Sequence, residues 1–152
     1  QVGGAMNHRM GLDDAVMIKD NHIAAAGGIG KAITHIRNQI PYPLTIEVET
    51  ETLAQVQEAL EHDADIIMLD NMPPDLMRQA VQLIRQSNNR IKIEASGNIT
   101  LETIRLVAET GVDFISSSAP VTRSTWLDLS MKFDNTLVQM GNDLPDWQAE
   151  QK

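Results

Sequence analysis

The sequence contains no cysteine, which excludes disulfides and thiolate metal centres. It is poor in cations: 12 Lys and Arg stand against 21 Asp and Glu, for a formal net charge of −9. That balance argues against a nucleic-acid coat or a polybasic membrane binder. It leaves room for a local cationic pocket. No apolar run approaches the ~18 residues of a membrane span, and no secretory leader pattern is present. A soluble cytoplasmic protein with no nucleic-acid or membrane partner is expected. No His or Cys occurs at metal-ligand spacing. The run Gly27-Gly28-Ile29-Gly30 lacks the spacing of a dinucleotide-binding fingerprint.

What is present is 42% hydrophobic and 22% charged residues over 152 positions, enough for one globular domain. The chain opens at Gln1 a few residues ahead of a dense polar motif, and is read as a piece of something longer. Short apolar runs alternate with helical patterns. Strands are expected at Ala15 to Lys19, Leu44 to Glu49, Asp65 to Leu69, Ile91 to Ala95 and Val112 to Ile115. Between them the 3.6-residue spacing of apolar positions predicts helices over Gly28 to Asn38, Glu51 to His62 and Asp75 to Gln86. A fourth helix carries Ile104, Val107 and Ala108, with Asn98 or Thr100 as its cap. Leu127 to Phe133 is a further element of open type, and 134–152 reads as a polar tail behind a domain spanning 1–133.

Regular strand–helix alternation implies parallel strands with right-handed crossovers. Every strand ends in polar residues: Lys19-Asp20, Glu49, Asp70, Ser96-Gly97 and Ser116-Ser117. A β/α barrel builds its active site from the carboxyl ends of several strands, whereas an open sheet concentrates chemistry at one switch point. The barrel is therefore expected, with too few strands here to close it.

The first strand is framed by His8, Arg9 and Lys19. An arginine can hold a carboxylate through two parallel bonds, and a lysine at a barrel mouth can hold a carboxylate or phosphate. As plain structure they would be a surface pair and a strand-end lysine. Glu47 and Glu49 share one face of a strand that should be apolar on both. Buried carboxylates need partners, and Lys19 and Lys92 are the expected ones, either in a site or in a structural ion-pair network. Glu49 and Asp70 on neighbouring strands are placed to hold Mg²⁺ through water, although Asp70 or Asn71 could equally cap a turn. Ser96, Gly97 and Asn98 form a strand-to-helix turn suited to a phosphate, as do Ser117, Ser118 and Ala119 after the fifth strand. His35 and His62 fall on helices and read as surface residues.

The segments "NHRMGLDDAVMIKDNHI", "IEVET", "IIMLDNM", "IEASGNI", "AETGVDFIS" and "LDLSMKF" resemble, in order and spacing, the quinolinate phosphoribosyltransferases. The resemblance runs from Asn7 to Phe133. It implies an open β/α barrel that lacks the family's N-terminal α/β sandwich domain and its first barrel strand. It implies phosphoribosyl transfer from phosphoribosyl pyrophosphate to quinolinate with decarboxylation, dependent on Mg²⁺, in a homodimer or larger assembly. By the same resemblance His8, Arg9 and Lys19 hold the quinolinate carboxylates, Glu49 and Asp70 flank the ribose and metal, and the loops at Ser96 to Asn98 and Ser117 to Ala119 hold phosphates. Lys19, Glu49 and Asp70 are the catalytic candidates. The family often has Gly-Ala-Leu where this chain has Ser118-Ala119-Pro120, which leaves side-chain roles for Thr122 and Arg123 in doubt. The alternatives are a related transferase with another acceptor and a non-catalytic phosphate-binding piece.

Overall fold

The computed structural model describes residues 3–132. Five parallel strands, β1 (Val16–Ile18), β2 (Ile46–Thr50), β3 (Ile66–Asp70), β4 (Lys92–Ser96) and β5 (Phe114–Ile115), form one sheet in chain order. With no reversal of strand order, right-handed crossovers place every connecting helix on one side of the sheet. Successive helices accordingly pack on one another: α1 (Asp20–Ala26), α2 (Ile29–Arg37), α3 (Leu53–Glu61), α4 (Pro74–Ser87) and α5 (Ile104–Ala108). A four-residue helix α6 (Ala119–Thr122) follows β5. The molecule is a sector of a β/α barrel, open at both edges.

The alternation of each strand sorts its residues between two environments. Facing the helices are Ile18, Val48, Ile67 and Ile93, paired side by side across four strands and none of them accessible to solvent. Leu69 and Ala95 continue this surface. Ile33 of α2, Val56 of α3, and Met77, Ala80 and Ile84 of α4 cover it. Full burial of one such aliphatic side chain contributes about 1.5–3 kcal/mol, so this layer carries most of the domain's stability. The opposite face, inward in a barrel, carries Met17, Glu47, Glu49, Met68, Asp70, Glu94 and Ser96.

Local chemistry explains the element ends. Pro74 at the first turn starts α4, where its missing N–H costs nothing. At α3 the Thr52 hydroxyl accepts from the Gln55 N–H at 3.2 Å, and Gln55 Oε1 accepts from the Thr52 N–H at 3.1 Å, a reciprocal cap. One device occurs twice. Asp65 Oδ2 accepts from the Ile46 N–H and from Arg37, each at 2.8 Å. Asp113 Oδ2 accepts from the Ile93 N–H at 2.8 Å and from Arg85 at 2.7 Å. In both, an Arg near a helix end and an Asp just ahead of the next strand satisfy an amide at the start of the strand between, the first of β2 and the second of β4. Burial would raise the Asp113 carboxyl, but Arg85 and that amide outweigh it and hold it below the usual range.

The structure corrects several expectations. Every strand begins one to two residues later than expected. The Asp20-Asn21-His22 run, assigned to no element from the sequence, is the first turn of α1. Its helical state escapes a search for long apolar periodicity because α1 has seven residues and buries none fully. His22 Nδ1 accepts from the Lys19 N–H at 3.0 Å and so closes that turn. Gly27 and Gly28, at φ 77° and 135°, separate α1 from α2. α5 starts at Ile104 with Thr103 at its N-cap position and no side-chain cap bond there; Thr100 acts one turn earlier, its Oγ1 accepting from the Thr103 N–H at 3.3 Å and its carbonyl from the Ile104 N–H at 2.9 Å. Within the expected element at Leu127 to Phe133, residues 127–132 have no regular structure and Leu127, Leu129 and Met131 are exposed. The tail at 134–152 lies outside the described residues.

Candidate active site

A cavity of about 460 Å³ lies at the carboxyl ends of the strands, on the inward face. β1 and the residue after it supply Met17 and Lys19; β2 and β3 supply Glu49, Met68 and Asp70. β4 and its turn bring Glu94, Ser96, Gly97, Asn98 and Ile99. The turn after β5 and α6 close the wall with Ser116, Ser117, Ser118, Ala119, Thr122 and Arg123, and His8 reaches in from the loop ahead of β1. Lys92, expected beside the glutamates, is exposed, and its charge is felt at Asp113 instead. It sits at the amino end of β4, away from the cavity. Arg9 is half-buried outside the lining, with Nη1 donating to the Ala15 carbonyl at 3.0 Å. Its charge still reaches Glu47. Thr122 and Arg123 do border the cavity, because α6 turns them back over the strand ends.

Two acidic clusters divide the inward face. Glu49 and Asp70 form the outer one. Burial raises the Glu49 carboxyl, the Asp70 charge and a proton-sharing contact with Asp70 raise it further, and Lys19 opposes them. Glu49 Oε2 is buried without a hydrogen-bond partner. Two adjacent carboxylates with an unused oxygen fit a hard cation or a developing positive charge. Asp70 is held from behind: Asn71 Nδ2 donates to its Oδ2 at 2.7 Å, and Asn98 Nδ2 donates to Asn71 Oδ1 at 2.9 Å. The Asn71 N–H donates to the Ser96 carbonyl at 2.9 Å. Asn71 and Asn98 both adopt positive φ, as does Gly97 at 86°. This chain of amides ties the acidic pair to the turn after β4. Across the cavity, Ser117 Oγ accepts from the Ala119 N–H at 3.2 Å.

The inner cluster joins Glu47 and Glu94, which are 3% and 6% exposed. Glu94 was invisible as a site residue because "KIEAS" reads as an ordinary buried strand. The two glutamates stand on β2 and β4, either side of β3, and both reach His8 Nε2 at 3.3 Å. Burial and then the Glu94 charge push the Glu47 carboxyl up to about 7, against His8 and Arg9. The folded state therefore binds a proton that the unfolded chain releases at lower pH. Stability from this source is full below the unfolded value of 4.5 and is lost as pH rises through about 7. We expect wild type to lose on the order of 3 kcal/mol relative to Glu47→Gln across that window, read as the difference in urea midpoints. An identical pH slope in Glu47→Gln would remove this pair as its source.

Residues 1–132 match the family model described as quinolinate phosphoribosyl transferase, C-terminal domain. A probable carboxylating nicotinate-nucleotide pyrophosphorylase of Synechocystis is 65% identical over 132 residues, 87% of this chain and 45% of the relative. A mitochondrial quinolinate phosphoribosyltransferase [decarboxylating] of Nicotiana tabacum is 46% identical over 90% of this chain and 43% of its own length. The crystal structure of NadC from Streptococcus pyogenes superposes with a TM-score of 0.74 at 45% identity, over 87% of this chain and 45% of that one. The chain thus spans less than half the length of these relatives. Among the described residues no helix is long and apolar enough to cross a membrane.

Proposed function

The chain belongs to the quinolinate phosphoribosyltransferase family, and from that membership we propose that it is the barrel portion of an enzyme forming nicotinate mononucleotide, CO₂ and pyrophosphate from quinolinate and phosphoribosyl pyrophosphate. The observation that carries this reading is the arrangement around one cavity: the Glu49–Asp70 pair, a lysine beside it, and small-residue turns after β4 and β5.

In this reading Lys19 and His8 hold the carboxylates of the planar diacid, with Arg9 contributing field from behind. The turns at Gly97 and Ser117 receive the phosphates. Departure of pyrophosphate from the ribosyl C1 leaves an oxocarbenium-like carbon, and the pyridine nitrogen attacks it with its own lone pair. No base is needed for that attack. Glu49 and Asp70 face the developing positive charge. The C2–carboxylate bond then breaks to release CO₂; its electron pair stays on C2 as an ylide stabilised by the adjacent quaternised nitrogen, and a proton from solvent adds at C2 to complete nicotinate mononucleotide. Glu49 and Asp70, both oxygen donors, are the residues that would hold Mg²⁺, which would supply neutralisation of the leaving pyrophosphate. The working form is a homodimer or larger assembly in the cytoplasm.

Formation of nicotinate mononucleotide and CO₂ by the complete protein tests the reaction, and failure to form either overturns it. Within an active enzyme, Lys19→Ala should weaken quinolinate by about 1.5–3 kcal/mol through loss of a charge-assisted contact. An unchanged KM for quinolinate would take Lys19 out of the acceptor site.

A further inference from the structure

We propose that Arg123 binds the phosphate monoester of phosphoribosyl pyrophosphate where the turns after β4 and β5 face each other; the identity of that substrate rests on the transferase reading. α6 delivers the side chain. Pro120 stands in its first turn, the Val121 and Thr122 N–H groups donate to the Ser118 carbonyl at 3.0 and 2.9 Å, and the Arg123 N–H donates to the Ala119 carbonyl at 2.9 Å. Those bonds turn the chain back over the strand ends. Arg123 then lines the cavity with Ser117 and Ala119 of its own turn and with Gly97 to Ile99 of the facing one. Arg123, Ile99, Ser117 and Ala119 also line the adjoining hollow, and so form the ridge between the two.

An anion at this ridge finds few backbone donors on the β5 side. Pro120 has none. The Ala119 N–H is taken by Ser117 Oγ at 3.2 Å, and those of Val121, Thr122 and Arg123 by the Ser118 and Ala119 carbonyls. Ser117 and Ser118 keep theirs without an acceptor among the described residues, as do Gly97, Asn98 and Ile99 in the β4 turn. Neutral amides orient a phosphate but do not balance its charge, and Glu49, Asp70 and Glu94 line the same cavity. A cation is needed. Of the three that line it, His8 contacts Glu47 and Glu94, and the Lys19 charge acts on Glu49. Arg123 makes no ion pair among the described residues. Its charge is the weakest of the influences on the exposed Glu102, behind the bond from Thr100. A guanidinium presents paired N–H groups that match two phosphate oxygens. Position selects the phosphate. The ribosyl C1 and its leaving pyrophosphate belong at Glu49 and Asp70 on β2 and β3. Arg123 follows β5, two strands beyond β3 at about 4.8 Å per strand, and meets the phosphate at the other end of the sugar.

The test uses the complete protein and two readouts. Calorimetry with inorganic phosphate and with ribose 5-phosphate reads binding without turnover, and steady-state kinetics reads KM for each substrate. Arg123→Ala should weaken both ligands by about 10–100-fold, the worth of a charge-assisted bond. It should raise KM for phosphoribosyl pyrophosphate and leave KM for quinolinate and the thermal midpoint unchanged. Arg123→Lys keeps the charge but loses the fork, and should fall between wild type and Arg123→Ala. Unchanged phosphate affinity in Arg123→Ala overturns the role, and a lowered thermal midpoint beside it would make Arg123 a structural contact instead. A loss that falls on quinolinate KM overturns it as well. If the complete protein forms no nicotinate mononucleotide, the transferase reading fails, while calorimetry still decides whether Arg123 holds a phosphate.

Discussion

Asp70→Asn in the complete enzyme should lower kcat by about 10²–10³-fold, the usual cost of removing one preorganised charge-stabilising group, while changing KM for quinolinate little. Glu49→Gln should act in the same direction. The pair faces charge that appears only as pyrophosphate leaves, so its loss is felt in turnover rather than in ground-state binding. The amide held behind Asp70 sharpens this expectation. With Asn at position 70, the donor from Asn71 Nδ2 still has a carbonyl oxygen to meet, so geometry survives and only charge is removed. The Glu49 carboxyl, raised in part by Asp70, should return toward its ordinary value in Asp70→Asn, which moves the acid limb of the kcat profile to lower pH. Steady-state kinetics over a range of pH checks both effects. A loss confined to quinolinate KM would move these carboxylates from the sugar to the acceptor.

Gly97→Ala should cost more than its backbone conformation alone explains, and should disable phosphate binding and turnover together. At φ 86° an L side chain is strained, by roughly 1–2 kcal/mol. The added methyl would also overlap the Asn71 amide. That amide bridges Asn98 and Asp70, so the methyl forces apart the turn and the acidic pair at once. Gly111→Ala is the matched control. It has φ 91°, and its added methyl would meet only Val81 Cγ1 at 3.5 Å, an ordinary contact. Urea unfolding of the two variants should therefore separate strain from overlap. Inorganic phosphate binding, read by calorimetry, should be lost in Gly97→Ala and kept in Gly111→Ala. Equal destabilisation with phosphate binding intact in both would show that Asn71 moves aside freely.

The residues with local signatures were legible. Glu49, Asp70, Ser96 and Gly97 close apolar runs, and period-two alternation with right-handed crossovers places the carboxyl ends of parallel strands at one rim. Lys19 was found for the same reason, although it caps α1 rather than ending β1. The short α1 was missed because seven residues with no fully buried position leave no apolar stripe to detect. Glu94 and Asn71 were not assigned to the site for a different reason. Their roles come from partners on other elements: Glu94 meets Glu47 across β3 and His8 from a loop 86 residues earlier in the chain. Asn71 reaches Asn98, 27 residues on.

The amino-acid sequence by itself determined the parallel β/α order, the barrel character and the polar rim, since all three follow from periodicity, turn residues and the handedness of L-amino acids. Tertiary structure alone decided which carboxylates face one another. Alternation assigns a side chain to a face of its strand but not to a height relative to the next strand. Register sets Glu49 level with Met68 and Glu94, and Glu47 level with Ile66 and Lys92. The side chains cut across those levels: Glu47 meets Glu94 and His8, Glu49 meets Asp70, and Lys92 stays outside both clusters.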